Sequence, residues 1–321
     1  MNTSILNRLR RCFSLLFISA LAGLSVLPAQ AAWPERAIEI IVAYAPGGGS
    51  DAIARIAARI MSRELGVPVN VVNMPGGNQL PGIEAVMRAA PDGYTLLLET
   101  PATSSIKATI PDNPVDLQAR TYGPLMAAQG ALIMVKGDSP WNSVSDMVDF
   151  IKNNPGSFTY VRLGGSTYSD LVTQGLFSVA GIDPQTVKPV DYSGNGPGNI
   201  AVAGGHVMMS GGSINPLISS GDLKVLAIAG PERATALPDV PTLAESGYPV
   251  DFVAYFGFSG PVGLPEEVLN RLDEVVQKMS GDDSFRKEIE AIGFYPRFLP
   301  AKEARTYILD EAEEYRALAK R

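Results

Sequence analysis

The sequence predicts an α/β fold with two lobes, each an open sheet flanked by helices, joined by strands that cross between them. An apolar run, a glycine turn and a helical pattern follow one another over 38–65, and the same order recurs over 158–179. A second α/β unit therefore lies inside the first. We predict a first lobe at 32–124, a second lobe at 125–229, and a return to the first lobe with a C-terminal helix at 230–321.

The first strand and its glycine turn are the segment around which the first lobe is organised. Apart from Glu39, residues 38–42 are apolar and β-branched, which is typical of a strand buried on both faces of a parallel sheet. The turn contains Gly47 and Gly48, and we predict Ser50 or Asp51 as the N-cap of the helix that follows. Backbone N–H groups and the positive end of the helix dipole converge there, so an anion site and a simple packing turn are both open. No Gly-Lys-Ser/Thr or Gly-x-Gly-x-x-Gly motif indicates a nucleotide site.

A second glycine loop follows the second predicted strand, 67–73. Gly76 and Gly77 come directly after it, and a helix-compatible stretch leads to a third strand at 94–98. This βαβαβ order implies right-handed crossovers, so the loops after the strands lie on one side of the sheet, where open sheets bind ligands. Thr103 adds a hydroxyl at the same edge.

The second unit repeats this arrangement. Ser166 and Thr167 stand between the predicted strand 158–163 and a helix, and we interpret them as hydroxyl donors at a helix N-terminus. The alternative is that one of them only caps its helix. Predicted strands at 223–229 and 252–259 and helices at 265–279 and 301–318 complete the pattern.

The amino terminus predicts export. Residues 1–31 have the basic start, apolar middle and small-residue end of a secretory signal, with cleavage after Ala31, and we expect a periplasmic protein. The only cysteine, Cys12, lies in that segment, so we expect the mature chain to have no disulfide and no lipid anchor.

Composition argues against several classes of function. The chain has 26 basic and 33 acidic residues and a net charge of −7, which is unfavourable for binding nucleic acid or an anionic membrane. Because His206 is the single histidine, we expect no zinc site of the usual kinds, no Cys–His catalysis and no cofactor, and we interpret His206 as structural. A hydrolase with two carboxylates in a cleft stays an alternative.

Five motifs, in order along the chain, carry a resemblance to a known family. They are Trp33-Pro34, Pro46-Gly47-Gly48-Gly49-Ser50-Asp51, Asn73-Met74-Pro75-Gly76-Gly77, Ala90-Pro91-Asp92-Gly93-Tyr94-Thr95-Leu96 and Leu237-Pro238-Asp239-Val240-Pro241-Thr242. With them the chain resembles the periplasmic receptors of tripartite tricarboxylate transporters, also called Bug receptors, over essentially its whole mature length. The resemblance implies a monomer with a type II-like, two-lobed periplasmic binding fold that closes on a small carboxylate, performs no chemistry and delivers it to a membrane permease. A periplasmic sensor that passes its bound form to a signalling protein is the alternative.

The resemblance also implies which residues bind the ligand. Carried over residue by residue, the set is Gly47, Gly48, Asp51, Gly76, Gly77, Ser166 and Thr167. Asp51 is expected to brace its loop, because a carboxylate that faces an anion would repel it. Asn78 and Gln79 depart from the family pattern by placing amide side chains in the second loop.

Aromatic side chains near strand ends are candidate walls of the cleft. They are Tyr44, Tyr168, Tyr192, Tyr255 and Phe256, and they favour an aromatic or long-chain acid. The alternative is that these rings belong to the core.

Arg162 also departs from the family pattern, which has small residues before the turn in the second lobe. Its guanidinium either pairs with a second ligand carboxylate or forms a surface ion pair with Asp170 or Asp191. We therefore expect a dicarboxylate or an aromatic carboxylate as the ligand, with the role of Arg162 open.

Overall fold

In the computed structural model, the described residues are 33–110, 114–164, 167–192, 194–250 and 252–318. The predicted signal, 1–31, lies outside them. The chain divides into a short unit, Met1–Glu35, and a main unit, Arg36–Arg321, and the main unit holds both sheets. Among the helices in the described ranges, none combines the length and the apolar character needed to span a membrane.

The secondary structure alternates between strands and helices through most of the chain. The strands are β1 (Ile38–Val42), β2 (Val69–Asn73), β3 (Thr95–Glu99), β4 (Arg120–Gly130), β5 (Leu132–Lys136), β6 (Phe158–Arg162), β7 (Val187–Asp191), β8 (Met209–Gly212), β9 (Leu223–Ile228), β10 (Val253–Pro261) and β11 (Tyr295–Leu299). The helices are α1 (Gly49–Leu65), α2 (Leu80–Met87), α3 (Val144–Asn153), α4 (Tyr168–Val179), α5 (Asn195–Ala203), α6 (Pro216–Ser219), α7 (Glu266–Ser280), α8 (Asp283–Glu290) and α9 (Ala301–Leu318).

The first lobe is built on a six-stranded sheet with the order β11-β4-β10-β3-β1-β2. β1 pairs in parallel with both β2 and β3, and Ile40 and Ile41, which point to opposite faces, are both buried. The predicted βαβαβ unit is therefore confirmed, and the loops after β1, β2 and β3 leave the sheet at one edge.

The second lobe is built on a five-stranded sheet with the order β7-β6-β8-β5-β9. Alternate residues of β5 enter different apolar clusters: Ile133 packs with Phe158 and Phe177 on one face, and Met134 packs with Val202 on the other. Helices thus cover both faces of this sheet, as in the first lobe.

The chain crosses between the lobes at Gly130, where β4 passes into β5. A Cβ at this position would lie 2.0 Å from the carbonyl oxygen of Ala229, so only glycine fits. The second lobe also extends further than 229, because Leu243 and Val250 pack in its core and the N–H of Leu243 donates to the carbonyl of Ile228 at 2.8 Å. The crossings thus lie near 130 and 252, later than the predicted 124 and 229.

Candidate ligand-binding cleft

A cavity of about 340 Å³ lies where the carboxyl ends of β1, β3 and β6 meet the crossing strands β4 and β10, and we call it the cleft. It is lined by Tyr44, Gly48, Gly49, Ser50, Gln79, Thr100, Pro101, Ala102, Gln129, Leu163, Thr167, Tyr168, Ser169, Gly194, Asn195, Gly212, Ser213, Ala254 and Phe256. None of these described residues has an acidic or basic side chain. An anion in the cleft would be held by backbone dipoles and neutral donors.

Two larger cavities, of about 500 and 670 Å³, border α9. Asp310 lines both of them, and Glu313 or Glu314 lines one each. Cationic side chains line them too, Lys107 and Arg316 in the first cavity and Arg297 in the second, but three carboxylates outnumber them in each, which makes both cavities less suitable for an anionic ligand than the neutral cleft.

The start of α1 differs from the prediction. Its N-cap is Gly48, which offers no side-chain acceptor, and the first backbone bond of the helix runs from the N–H of Ala52 to the carbonyl of Gly48 at 2.9 Å. The prediction of Ser50 or Asp51 as N-cap is wrong, because the Asp51 side chain is engaged elsewhere. The N–H groups of the first turn are therefore left to solvent or a ligand at the cleft edge.

Asp51 braces the first glycine loop. Its carboxylate accepts from the N–H of Gly47 at 2.9 Å and from Nδ2 of Asn73 at 2.9 Å, and it pairs with Nη2 of Arg55 at 2.9 Å. The hydrogen bond from Arg55 is the main cause that lowers the pKa of Asp51 to about 2, against the smaller opposing effect of burial. Gly47 and Asp51 were predicted in the ligand-binding set, but both lie outside the cleft lining, and the charge of Asp51 braces the loop instead of facing the ligand.

The second glycine loop has a left-handed backbone. The φ angles are +50° at Gly77, +52° at Asn78 and +66° at Gln79, and each non-glycine residue in this region costs about 1 kcal/mol. The Nζ of Lys107 donates to the carbonyl of Asn78 and, at 2.8 Å, to Oε1 of Gln79. Burial, with a smaller effect of the Arg120 charge, lowers the pKa of Lys107 to about 8. Of this loop, Gln79 reaches the cleft, and Gly76, Gly77 and Asn78 are exposed outside its lining.

The helix α4 begins at the cleft with Thr167 as its N-cap. The Thr167 hydroxyl donates to Oδ2 of Asp170 at 2.8 Å, and the N–H groups of Leu163 and Thr167 donate to the same carboxylate at 2.8 and 3.1 Å. The single hydroxyl hydrogen of Thr167 is thus used within the cap, so the geometry favours the capping interpretation, and Thr167 lines the cleft without donating its hydroxyl to it. Ser166 lies outside the described residues.

The helix α5 also begins at the cleft, and the sequence reasoning did not single it out. Its N-cap, Gly194, makes no side-chain cap, and both Gly194 and Asn195 line the cleft. The signal was present as a glycine-containing turn directly after β7, which is the same pattern that marked the start of α1.

Three of the aromatic residues line the cleft, namely Tyr44, Tyr168 and Phe256. The Tyr44 hydroxyl lies 2.8 Å from Oγ1 of Thr100, and burial raises the pKa of Tyr44 to about 12. The Tyr168 hydroxyl accepts from the N–H of Ala131 at 2.8 Å and donates to the carbonyl of Phe252 at 2.7 Å, which links the two crossings.

Three predicted site residues take other places. Tyr255 is fully buried, because alternation along β10 points Ala254 and Phe256 to the cleft and the Tyr255 hydroxyl to Ser104 at the opposite face. Thr103 is buried with its hydroxyl 2.8 Å from Oε1 of Glu99, and its neighbour Thr100 lines the cleft instead. Tyr192 packs against the second lobe's core and is outside the cleft lining. Each of these three departs from the prediction because its strand or turn directs it inward.

Arg162 forms a two-pronged ion pair with Asp191 on the neighbouring strand β7. Nε and Nη2 each lie 2.7 Å from a carboxylate oxygen, and the hydrogen bond to Asp191 raises the pKa of Arg162. Arg162 is outside the cleft lining, so this geometry favours the surface-pair interpretation.

The sequence reasoning also missed Gln129 and Ser213. Gln129 is buried at the cleft, the Ser213 hydroxyl lies 3.4 Å from its Oε1, and no described residue accepts from its Nε2. The signal for Gln129 was a single amide at the end of an otherwise apolar run in β4.

A family model described as "Tripartite tricarboxylate transporter family receptor" matches residues 53–321. The chain belongs to this family. It is 28% identical over 304 residues to Protein BugT of Bordetella pertussis, covering 92% of each chain. It is also similar to the solved "Structure of a periplasmic transporter", with 30% identity, a TM-score of 0.80, and coverage of 90% of this chain and 98% of that one. A third relative is the R. palustris protein Rpa4515, solved with adipate, at 25% identity and a TM-score of 0.78, covering 90% and 97%.

Proposed function

We propose that this family receptor is a periplasmic protein that binds a small dicarboxylate or aromatic carboxylate in the cleft and performs no chemistry on it. It delivers the acid to a membrane permease of the tripartite tricarboxylate type. Family membership and the similarity to BugT and to the solved periplasmic transporter support the location and the delivery.

The observation that carries the proposal is that two helices with uncapped starts begin at one uncharged cleft. α1 belongs to the first lobe and α5 to the second, and neither N-cap, Gly48 or Gly194, has a side chain that accepts from the first turn. Each start therefore presents backbone N–H groups and the positive end of a dipole. One ligand carboxylate at each helix start would accept hydrogen bonds from the backbone N–H groups of both lobes, and this favours a dicarboxylate.

The middle of the cleft suits a carbon chain or ring. Phe256 and Ala254 supply apolar surface from β10, and the rings of Tyr44 and Tyr168 add to it. Since both tyrosines have pKa values raised by burial, they stay neutral and add no negative charge next to the acid. The adipate in Rpa4515 is such a ligand, with two carboxylates joined by a carbon chain.

The test introduces a charge at each helix start and keeps a neutral partner as control. Ser50→Asp places a carboxylate in the first turn of α1, and Ser50→Asn is its neutral match; Gly196→Asp and Gly196→Asn do the same in α5, where a Cβ at Gly196 meets no atom within 4 Å. An acid in the first turn favours the helix, so the fold is retained.

Affinities for adipate, hexanoate, terephthalate and benzoate are measured by titration calorimetry. We expect both aspartate variants to bind adipate at least about tenfold more weakly than their asparagine matches, as expected for like-charge repulsion at close range. Equal affinities within each pair would refute the helix-start assignment, and no binding of any acid by the wild type would refute the carboxylate class. Loss of growth on the bound acid when the receptor alone is deleted tests delivery to the permease.

A further inference from the structure

Gln79 occupies the cleft with an orientation that the structure defines. Gln79 lines the cleft, and Nζ of Lys107 lies 2.8 Å from its Oε1. An ammonium group only donates, so the amide atom that faces Lys107 is the oxygen. The Nε2 of Gln79, which carries two donor hydrogens, is therefore the amide atom left for a ligand.

Lys107 holds the backbone of the same loop. Its Nζ also donates to the carbonyl of Asn78, and the residue is only 3% exposed. Asn78 and Gln79 both have positive φ, a conformation that persists only where surrounding contacts hold it. One buried ammonium group thus fixes both the left-handed turn and the amide at its end.

We propose that Lys107 is a positioning residue for ligand recognition: it holds the turn at Gly77–Gln79 and directs the Nε2 donor of Gln79 into the cleft. The inference rests on the proposed carboxylate receptor and specifies its first-lobe contact, because a ligand must present a hydrogen-bond acceptor, a carboxylate or carbonyl oxygen, beside the start of α1. A ligand with a hydrogen-bond donor beside the start of α1 is rejected. The Gln79 amide cannot rotate to offer its oxygen to such a ligand, because its NH₂ group would then face the ammonium group of Lys107.

A double-mutant cycle separates this role from a merely structural one. Lys107→Met removes the ammonium group, Gln79→Leu removes the amide, and Lys152→Met removes an exposed lysine of α3 as a charge-matched control. We expect Lys107→Met and Gln79→Leu each to weaken adipate binding about tenfold. The double variant should bind adipate at most about threefold more weakly than Gln79→Leu does, and Lys152→Met should bind it as tightly as the wild type. Additive losses near a hundredfold in the double variant would overturn the inference.

Gln79→Glu gives an independent readout. The glutamate keeps the contact with Lys107 as an ion pair and replaces the donor that faces the cleft with an acceptor. We expect an unchanged or higher melting temperature without ligand, together with at least a tenfold loss of adipate affinity. Adipate affinity that stays intact in Gln79→Glu would overturn the inference, because an acceptor in place of the Nε2 donor would then not oppose the ligand carboxylate.

Hydrogen–deuterium exchange without ligand separates this inference from the proposed function. We expect faster exchange at 76–80 in Lys107→Met than in the wild type and in Lys152→Met. If the wild type binds adipate and neither exchange nor affinity changes in Lys107→Met, the positioning role is overturned and the proposed function stands. If the wild type binds none of the four acids, the proposed function and the positioning role are both refuted, whatever the exchange rates are.

Discussion

Glu311 of α9 is buried with few compensating contacts, and this predicts an unusual dependence of stability on pH. The residue is 7% exposed, it accepts from the hydroxyl of Ser105, and its Oε1 lies 3.3 Å from the hydroxyl of Tyr307. Burial is the main cause that raises the pKa of Glu311 from the ordinary 4.5 to about 7, and the hydrogen bonds and the charge of Arg297 offset only part of it.

The direction in which stability changes with pH follows from the protons that Glu311 binds in the folded and the unfolded chain. Below about pH 4.5 the carboxyl is protonated in both the folded and the unfolded chain, and the burial has no charge to penalise. Between 4.5 and about 7 the unfolded chain releases the proton and the folded chain keeps it, so the free energy of unfolding falls as pH rises. The full loss, present above about pH 7, is about 3 kcal/mol.

Glu311→Gln is the perturbation that tests this reasoning. The amide keeps the shape and the acceptor for Ser105 and cannot ionise, so we expect the variant to match the wild type near pH 4.5 and to be about 3 kcal/mol more stable at pH 8. For a chain of this size that gain corresponds to about 6 °C in the melting temperature.

Urea denaturation at pH 4.5 and pH 8 is the assay, with Glu314→Gln, an exposed residue of the same helix, as the control. We expect the control to follow the wild type at both pH values. A Glu311→Gln variant that is no more stable than the wild type at pH 8, or that gains equally at both pH values, would refute the assignment of a buried, protonated carboxyl.

Three further predictions concern the first glycine loop, the crossing at Gly130 and the ion pair of Arg162. Asp51→Asn is expected to lower the free energy of unfolding by only about 1 kcal/mol at pH 7, since its partner Arg55 is half exposed and the pair is screened by solvent. Because folding lowers the pKa of Asp51 to about 2, this stabilisation is present above about pH 4 and is lost as pH falls through 2. Urea titrations that show the same deficit at pH 7 and at pH 2 would contradict the prediction. Gly130→Ala is expected to lower the free energy of unfolding by at least about 3 kcal/mol, measured in thermal melts, because its Cβ would clash with the Ala229 carbonyl. The control is Gly281→Ala, whose Cβ would lie 3.6 Å from the nearest atom and which should change the free energy of unfolding by less than about 1 kcal/mol. Arg162→Ala is expected to change the affinity for every bound acid by less than about twofold, since its exposed pair with Asp191 lies outside the cleft; a tenfold loss confined to dicarboxylates would restore the second-carboxylate role.

The features that could be predicted from the sequence are those set by local pattern. The β-branched run 38–42 and the glycines after it specify a buried parallel strand and a turn, whatever the rest of the chain does. The brace role of Asp51 followed from electrostatics, because a carboxylate facing an anion would oppose binding. The N-cap was predicted wrongly because the choice between Ser50, Asp51 and Gly48 depends on Arg55 and Asn73, which compete for the Asp51 side chain.

The features that could not be predicted depend on the packing of distant segments. All residues of β10 are buried, so alternation alone could not tell whether Tyr255 or Phe256 faces the cleft. Gln129 and the start of α5 reach the cleft only because the chain crosses at Gly130 and because α4 and α5, on opposite faces of the second sheet, both begin at its cleft edge. No local signal specifies such a meeting.

The two acidic residues that brace the loops favour α5 over α4 as the helix start for the second carboxylate of the proposed ligand. Asp51 and Asp170 each stand third in their helices and accept backbone N–H groups of the preceding loop. Each places a negative charge near a helix start, where it competes with a ligand for the positive end of the dipole. The ion pair with Arg55 offsets this charge in α1, which leaves that start available to an anion. In α4 the side chains of Thr167 and Asp170 form a capping box, which already uses the hydrogen-bonding groups at the start of the helix. The third residue of α5 is Pro197, which brings neither an acid nor an N–H group, so its first turn offers the unopposed dipole of the second lobe.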